Sequence, residues 1–127
     1  MTDIKKPITQ LHAEITQSIS EVKFGMSELS IFQDQLKEIA EKNNHEEVSK
    51  QVEHFQNQFI RQNEISQELL HDLHVSDRQL AEDSVGDKDS DLILEKENLG
   101  IKDRVETYNK LLVELKNEFH LFLEKYF

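Results

Sequence analysis

Apolar residues recur along most of the chain at alternating intervals of three and four, the spacing that places them on one side of an α-helix. The repeat is most sustained across residues 48–80. We call the positions at this spacing, a and d of each heptad, the seam; ten of them fall in this stretch, and seven of the ten are apolar. Similar repeats run from residue 8 to 39 and from residue 101 to 126. The pattern therefore predicts three amphipathic helices, each with an apolar face that must be buried.

Breaks in the repeat predict where the first two helices begin and end. Helix 1 is expected over residues 4–42, with Pro7 in its first turn, where amides have no intrahelical acceptor and a missing amide hydrogen is tolerated. Asn43 and Asn44 interrupt the stripe, and asparagine tolerates the left-handed conformation that ends many helices. Helix 2 is then expected over residues 45–83, with Asn44 as its cap.

The third helix is preceded by a run of acidic residues, serine and glycine. Such a run can neither bury surface nor continue an apolar stripe, so it predicts a loop over residues 84–90 whose amides exchange rapidly with solvent. Helix 3 is expected over residues 91–127. Because Asn98 and Gly100 weaken its first turns, the sequence allows a continuous helix, a kink, or a late start near Ile101.

The three repeats have nearly equal lengths of about 35 to 40 residues, or roughly 50 to 60 Å at 1.5 Å per residue. Matched lengths predict an all-α fold, an antiparallel up-down-up three-helix bundle formed by residues 1–127 as one domain. This architecture resembles that of spectrin-like repeats. The alternative is a helical hairpin that dimerises through its third helix.

Antiparallel pairing about the two turns brings phenylalanines of all three helices to similar heights. Their rings are expected to cluster toward one end of the core, where each buried ring contributes a few kcal/mol of transfer free energy. The rings concerned are Phe32, Phe55, Phe59, Phe119 and Phe122.

The charge balance narrows the class of partner. With 26 acidic and 15 basic residues, the chain has a formal net charge of -11. This charge opposes binding to nucleic acid, because that binding depends on lysine and arginine displacing counterions. The basic residues are also scattered, so no face suits an anionic membrane. A protein partner is expected instead, and a basic one is favoured.

Cysteine is absent from the sequence, which excludes disulfides, a thiolate nucleophile and cysteine-based zinc sites. The N-terminal residues lack an apolar run followed by a small-residue cleavage site, and the longest aliphatic run covers only residues 92–94. These features favour a cytoplasmic protein with no membrane span.

One segment of helix 2 carries the best candidate for metal binding. Glu68 and His71 have the E-x-x-H spacing of di-iron bundles, and His74 follows three residues later. Leu69 and Leu73 occupy the seam, however, which turns both histidines outward and leaves too few ligands for a di-iron site. Solvated surface histidines explain the same residues.

The sequence offers no recognisable catalytic constellation: it has no glycine-rich phosphate loop, no G-x-S-x-G and no cysteine and histidine pair. Slender bundles also have few concave sites that shift pKa values. The sequence therefore favours a non-catalytic protein–protein interaction or scaffold module that uses no cofactor. The alternative is a metal- or small-ligand-binding bundle based on His71, His74 and nearby carboxylates.

Among the seam positions without an aliphatic or phenylalanine side chain, four fall at similar heights once the turns are closed: Gly25, Gln62, Ser66 and Tyr108. Buried polar atoms need partners, so the Tyr108 hydroxyl is expected to reach Gln62 or Ser66, while Gly25 allows helix 1 to approach closely. Such a layer would fix the register of the helices. A locally solvated gap is the alternative.

Helix 1 also carries apolar residues on the face opposite its seam. Phe24 and Ile31 share this face, and Ala13 falls within about 20 degrees of the same line. The narrow stripe predicts homodimerisation about a two-fold axis. Ordinary surface scatter, or a rotation of helix 1 that tucks Phe24 under a neighbour, would explain it too.

Overall fold

The computed structural model describes the backbone of residues 7–83 and 88–127 and the side chains of residues 7–82 and 100–127. Over these residues the chain forms three long helices and no strand: α1 (Ile8–Lys42), α2 (Glu46–Asp83) and α3 (Lys88–Tyr126). Each helix packs against the other two. The predicted all-α three-helix bundle is therefore confirmed.

Contacts between α1 and α2 show that these two helices are antiparallel. His12 near the start of α1 pairs with Asp77 near the end of α2. Farther along α1, Phe32 packs on Phe59, which lies in the first half of α2, with 6.0 Å between the ring centroids. Residue numbers thus rise in α1 as they fall in α2.

Contacts between α1 and α3 show that these two helices are parallel. Asn109 bonds to Glu21 and Lys116 bonds to Glu28, and in both cases the partners are 88 residues apart. The same offset at two positions one heptad apart means that α1 and α3 stay in register there, as helices do in a parallel coiled coil. The chain therefore runs up, down and up, as predicted.

α1 begins later than predicted. Pro7 has an extended backbone (φ -58, ψ 147) and precedes the first turn, and its carbonyl accepts hydrogen bonds from the amides of Gln10 and Leu11. Proline suits this place because it has no amide hydrogen to satisfy. The helix therefore begins at Ile8. The earlier part of the predicted helix, residues 4–6, lies outside the described residues.

The turn between α1 and α2 also differs from the prediction. Asn43 is extended (φ -128, ψ 118) and not left-handed, and its backbone N–H and side-chain Nδ2 both donate to the carbonyl of Ile39. The carbonyl of His45 accepts from the amide of Ser49. Because a cap is the residue whose carbonyl accepts the first helical bond, His45 holds the place predicted for Asn44.

α3 begins at Lys88, so residues 88–90 belong to the helix and not to the predicted loop. Residues 84–87, the rest of that loop, lie outside the described residues. α3 then continues through Gly100, which has no positive φ, to Tyr126. One helical glycine costs about 1 kcal/mol of propensity, which a helix of this length tolerates. Of the alternatives that the sequence leaves open, α3 is one helix through Gly100 and does not start late near Ile101.

The core follows the predicted seams closely. In α2, nine of the ten seam positions are buried, and the tenth, Val52, is half-buried. The predicted phenylalanine cluster is also present, in the half of the bundle nearest the α1–α2 turn. Its ring centroids lie 4.9 to 6.1 Å apart and belong to Phe32, Phe55, Phe59, Phe119 and Phe122. None of the described helices combines the length and apolar character that a membrane span requires.

Candidate functional site

A polar layer crosses the core where Tyr108 of α3 meets Ser66 of α2. Both residues are buried, and their hydroxyl oxygens lie 2.6 Å apart. Ser66 Oγ also donates to the backbone carbonyl of Gln62 at 2.8 Å. Because that bond uses the only hydroxyl hydrogen of Ser66, the Tyr108 hydroxyl must donate and Ser66 Oγ must accept. Of the two partners predicted for Tyr108, the structure selects Ser66.

Gly25 of α1 completes the layer by allowing a close approach. A Cβ at this position would lie 2.6 Å from Tyr108 Oη and 2.9 Å from Leu112 Cδ2, so α3 reaches α1 at a distance that only glycine permits. Gln62 is buried as well, but its Nε2 has no hydrogen-bond partner among the described residues. The layer is therefore packed, although not every polar atom in it is satisfied.

The environment of Tyr108 disfavours the ionised form of its hydroxyl. Burial raises the pKa of Tyr108 above its ordinary value of 10.0, and the nearby Glu28 carboxylate adds to the rise. The hydroxyl thus remains a donor through the neutral range. This chemistry serves structure, because Tyr108 is buried and its hydroxyl lies against Ser66 and the position of Gly25.

The raised pKa of Tyr108 predicts a loss of stability at high pH. Above about pH 10 the unfolded chain ionises this phenol while the folded chain still holds the proton, so unfolding becomes more favourable as the pH rises. Tyr108→Phe should lower the free energy of unfolding by about 1 kcal/mol at about pH 8, through the lost hydrogen bond. This gap between the wild type and the variant should narrow by about pH 11. Urea unfolding at both pH values measures the gap. Tyr126→Phe removes the other tyrosine as a control, and a gap that widens above pH 10 would contradict the prediction.

The metal candidates do not converge. Glu68, His71 and His74 are all exposed on α2, as expected from the seam positions of their neighbours. Across residues 7–82 and 100–127, no group of three or more histidine, aspartate or glutamate side chains is arranged to hold a metal ion. His71 and His74 therefore face solvent.

α1 and α3 are separated by a groove toward the N-terminal half of α1. The groove has a volume of about 510 Å³, and apolar side chains of all three helices line it, among them Leu11, Leu73 and Val105. Ala13, predicted as part of the stripe on helix 1, also lines it. Gln17 of α1 and Glu106 of α3 line the same groove and are exposed.

An apolar strip continues this groove along the bundle. Positions seven residues apart share one face of a helix, so the places of Gln17 and Glu106 are taken one heptad later by Phe24 and Val113. These side chains are 65% and 55% exposed. Ile31, one heptad beyond Phe24, is 56% exposed. We call Phe24, Ile31 and Val113 the apolar strip.

Two polar contacts hold α1 and α3 together beneath the apolar strip. Asn109 Nδ2 donates to Glu21 at 3.1 Å, and Lys116 Nζ forms an ion pair with Glu28. The four side chains are part-buried, whereas Phe24, Ile31 and Val113 are exposed. Glu21 and Glu28 are therefore each compensated by a donor on α3.

Sequence reasoning found two members of the apolar strip and missed the third. Phe24 and Ile31 are exposed as the heptad positions predict, and neither is tucked under a neighbour. Val113 is one of several scattered exposed apolar residues in α3, and single ones need no explanation. Only the offset of 88 residues between α1 and α3 places it level with Phe24. No signal in α3 alone could have identified it.

Comparison of the chain with protein-family models, with curated proteins and with solved structures found no match.

Proposed function

We propose that this protein is a non-catalytic protein–protein interaction module that binds its partner through the apolar strip. The observation that supports this role is the exposure of Phe24, Ile31 and Val113 at neighbouring levels of the α1–α3 seam. Large apolar side chains grouped in this way are characteristic of contact surfaces, whereas isolated ones are common on any protein.

The packing beneath the apolar strip supports the same role. Glu21 and Glu28 are held by α3, and Phe32 and Leu29 fill the core behind them. The strip is therefore mounted on two helices whose register is fixed, so little ordering entropy is lost when a partner covers it. Binding surfaces on rigid elements gain affinity for this reason.

The role is tested by a photoreactive residue placed in the apolar strip of the full chain. With p-benzoylphenylalanine in place of Phe24, illumination of the cells that naturally make the protein should join the chain to another polypeptide. Adding Ile31→Glu and Val113→Glu to the same chain should abolish the product, because charges on a contact surface must be desolvated.

Leu121 supplies the matched control. It is 68% exposed and lies on α3 one heptad after Glu114, which lines a groove between α2 and α3 on the other side of the helix. The photoreactive residue at Leu121 should give no product. Equal cross-linking at Phe24 and Leu121, or none at Phe24, would show that the apolar strip is not the contact surface.

A further inference from the structure

Resting on the proposed function, we infer that the occupant of the apolar strip is a second copy of this chain. The two α1 helices pack antiparallel about a two-fold axis that passes near Ser27. Phe24 of each copy then lies opposite Ile31 of the other, because the midpoint between these residues falls between Ser27 and Glu28. A two-fold interface requires such self-complementarity, since each patch must match itself in reverse.

The centre of this interface is lined by small side chains. Ser27 and Ser30 are exposed on α1 between Phe24 and Ile31, and Ser27 Oγ already donates to the carbonyl of Lys23 at 3.2 Å. Its hydroxyl therefore has an internal partner and does not need water. Small residues between two large apolar ones let a second helix approach closely and let its phenylalanine and isoleucine fill the space.

The local charge favours a second copy over a basic partner. Residues 20–34 and 109–117 together hold four carboxylates and three lysines, a net charge of -1, in a chain whose total is -11. Two copies of an acidic protein repel least where each is close to neutral. A basic partner would find its complement on other faces, because this region carries almost none of the chain's excess negative charge.

The charges that remain exposed match across the two-fold axis. Lys23 and Asp34 are both exposed; along α1, Lys23 comes just before Phe24 and Asp34 comes after Ile31. In the antiparallel arrangement, Lys23 of one copy comes within one helical turn of Asp34 of the second copy. The symmetry forms this pair twice. Val113 flanks the same level of α1 and widens the apolar area that the second copy covers.

Sedimentation of the purified full chain over a wide range of concentration tests the association. The wild type should shift from monomer to dimer as concentration rises, and Phe24→Glu with Ile31→Glu should remain monomeric with unchanged helicity. Lys23→Glu alone and Asp34→Lys alone should each weaken the dimer on the order of tenfold, because each puts like charges together twice. The double exchange, Lys23→Glu with Asp34→Lys, should restore it.

A cross-linking experiment tests the position of the axis. Because the chain has no cysteine, Ser27→Cys introduces a single thiol, and a short bis-maleimide should join two copies of this variant efficiently. Ser49→Cys is the matched control, since Ser49 is an exposed serine on α2 away from the apolar strip. Equal yields from the two variants would overturn the proposed geometry.

The two proposals fail in different ways. A purified chain that stays monomeric at every concentration, or a dimer that survives Phe24→Glu with Ile31→Glu, overturns the second copy as the occupant. If that monomer is nevertheless cross-linked through Phe24 to a different protein in cells, the interaction role stands and only the identity of the partner is wrong. Absence of both products overturns both.

Discussion

Replacing Phe119 with alanine is expected to lower the free energy of unfolding by about 3 to 5 kcal/mol, the largest loss from a single truncation in this protein. Phe119 is fully buried, and its ring lies 4.9 Å from that of Phe59 and 5.3 Å from those of Phe32 and Phe55. It therefore joins α3 to both other helices. Its loss removes apolar contact with three neighbouring rings. It also leaves a cavity that those rings cannot fill, because they belong to two different helices, α1 and α2.

Phe24→Ala is the matched control for that measurement, because it makes the same chemical change at a side chain that is mostly exposed. It should change the free energy of unfolding of the monomer by no more than about 0.5 kcal/mol. Urea unfolding should be followed at low concentration, where self-association does not add to stability. A loss below about 1 kcal/mol for Phe119→Ala would mean that the aromatic cluster is not closed around this ring.

The heptad pattern predicted most of this fold because a helix buried on one side reveals that side in its spacing. Nine of the ten seam positions of α2 are buried, and the exception, Val52, lies only partly outside the core. Ser66, Gln62 and Ser76 are buried although they are polar. Their apolar neighbours, three and four residues away, determine which face of α2 is buried, and these polar side chains are buried with that face.

Helix ends were predicted less well, because several residues can satisfy the same free backbone groups. Asn43 satisfies the carbonyl of Ile39 twice without turning left-handed, and His45 acts as the cap although Asn44 has the better side chain for it. Capping preferences are worth about 1 kcal/mol. Packing of two long helices outweighs that amount and decides where each turn falls.

The polar layer and the apolar strip illustrate what a pattern in one helix cannot supply. Spacing placed Tyr108 and Ser66 at similar heights, but only the second bond of Ser66 to the carbonyl of Gln62 shows which hydroxyl donates. Likewise, the heptad pattern of α1 alone identifies Phe24 as an exposed apolar residue, whereas only the offset between α1 and α3 places Val113 beside it. That offset depends on how side chains pack between the two helices, which the pattern of a single helix does not contain.

The close approach at Gly25 leads to a prediction with an unusual sign. Alanine is favoured over glycine in a helix by about 1 kcal/mol, yet Gly25→Ala is expected to destabilise the protein by about 1 to 3 kcal/mol. The added Cβ would lie 2.6 Å from Tyr108 Oη and 2.9 Å from Leu112 Cδ2. Leu112 can rotate away, but the tyrosine ring is rigid and its hydroxyl is held by Ser66, so α1 and α3 must separate.

A double-mutant cycle with Tyr108→Phe isolates that contact. Removing the hydroxyl removes the atom nearest to the new Cβ, so the two changes together should cost less than the sum of the single costs, by about 0.5 to 3 kcal/mol. Gly100→Ala is the matched control, because Gly100 is also helical but has no atom within 4 Å of an added Cβ. That substitution should stabilise the protein by about 0.4 to 1 kcal/mol. If Gly25→Ala and Gly100→Ala both raise stability, then α3 does not approach α1 at Tyr108 as closely as the structure has it, and the polar layer does not set the register of the bundle.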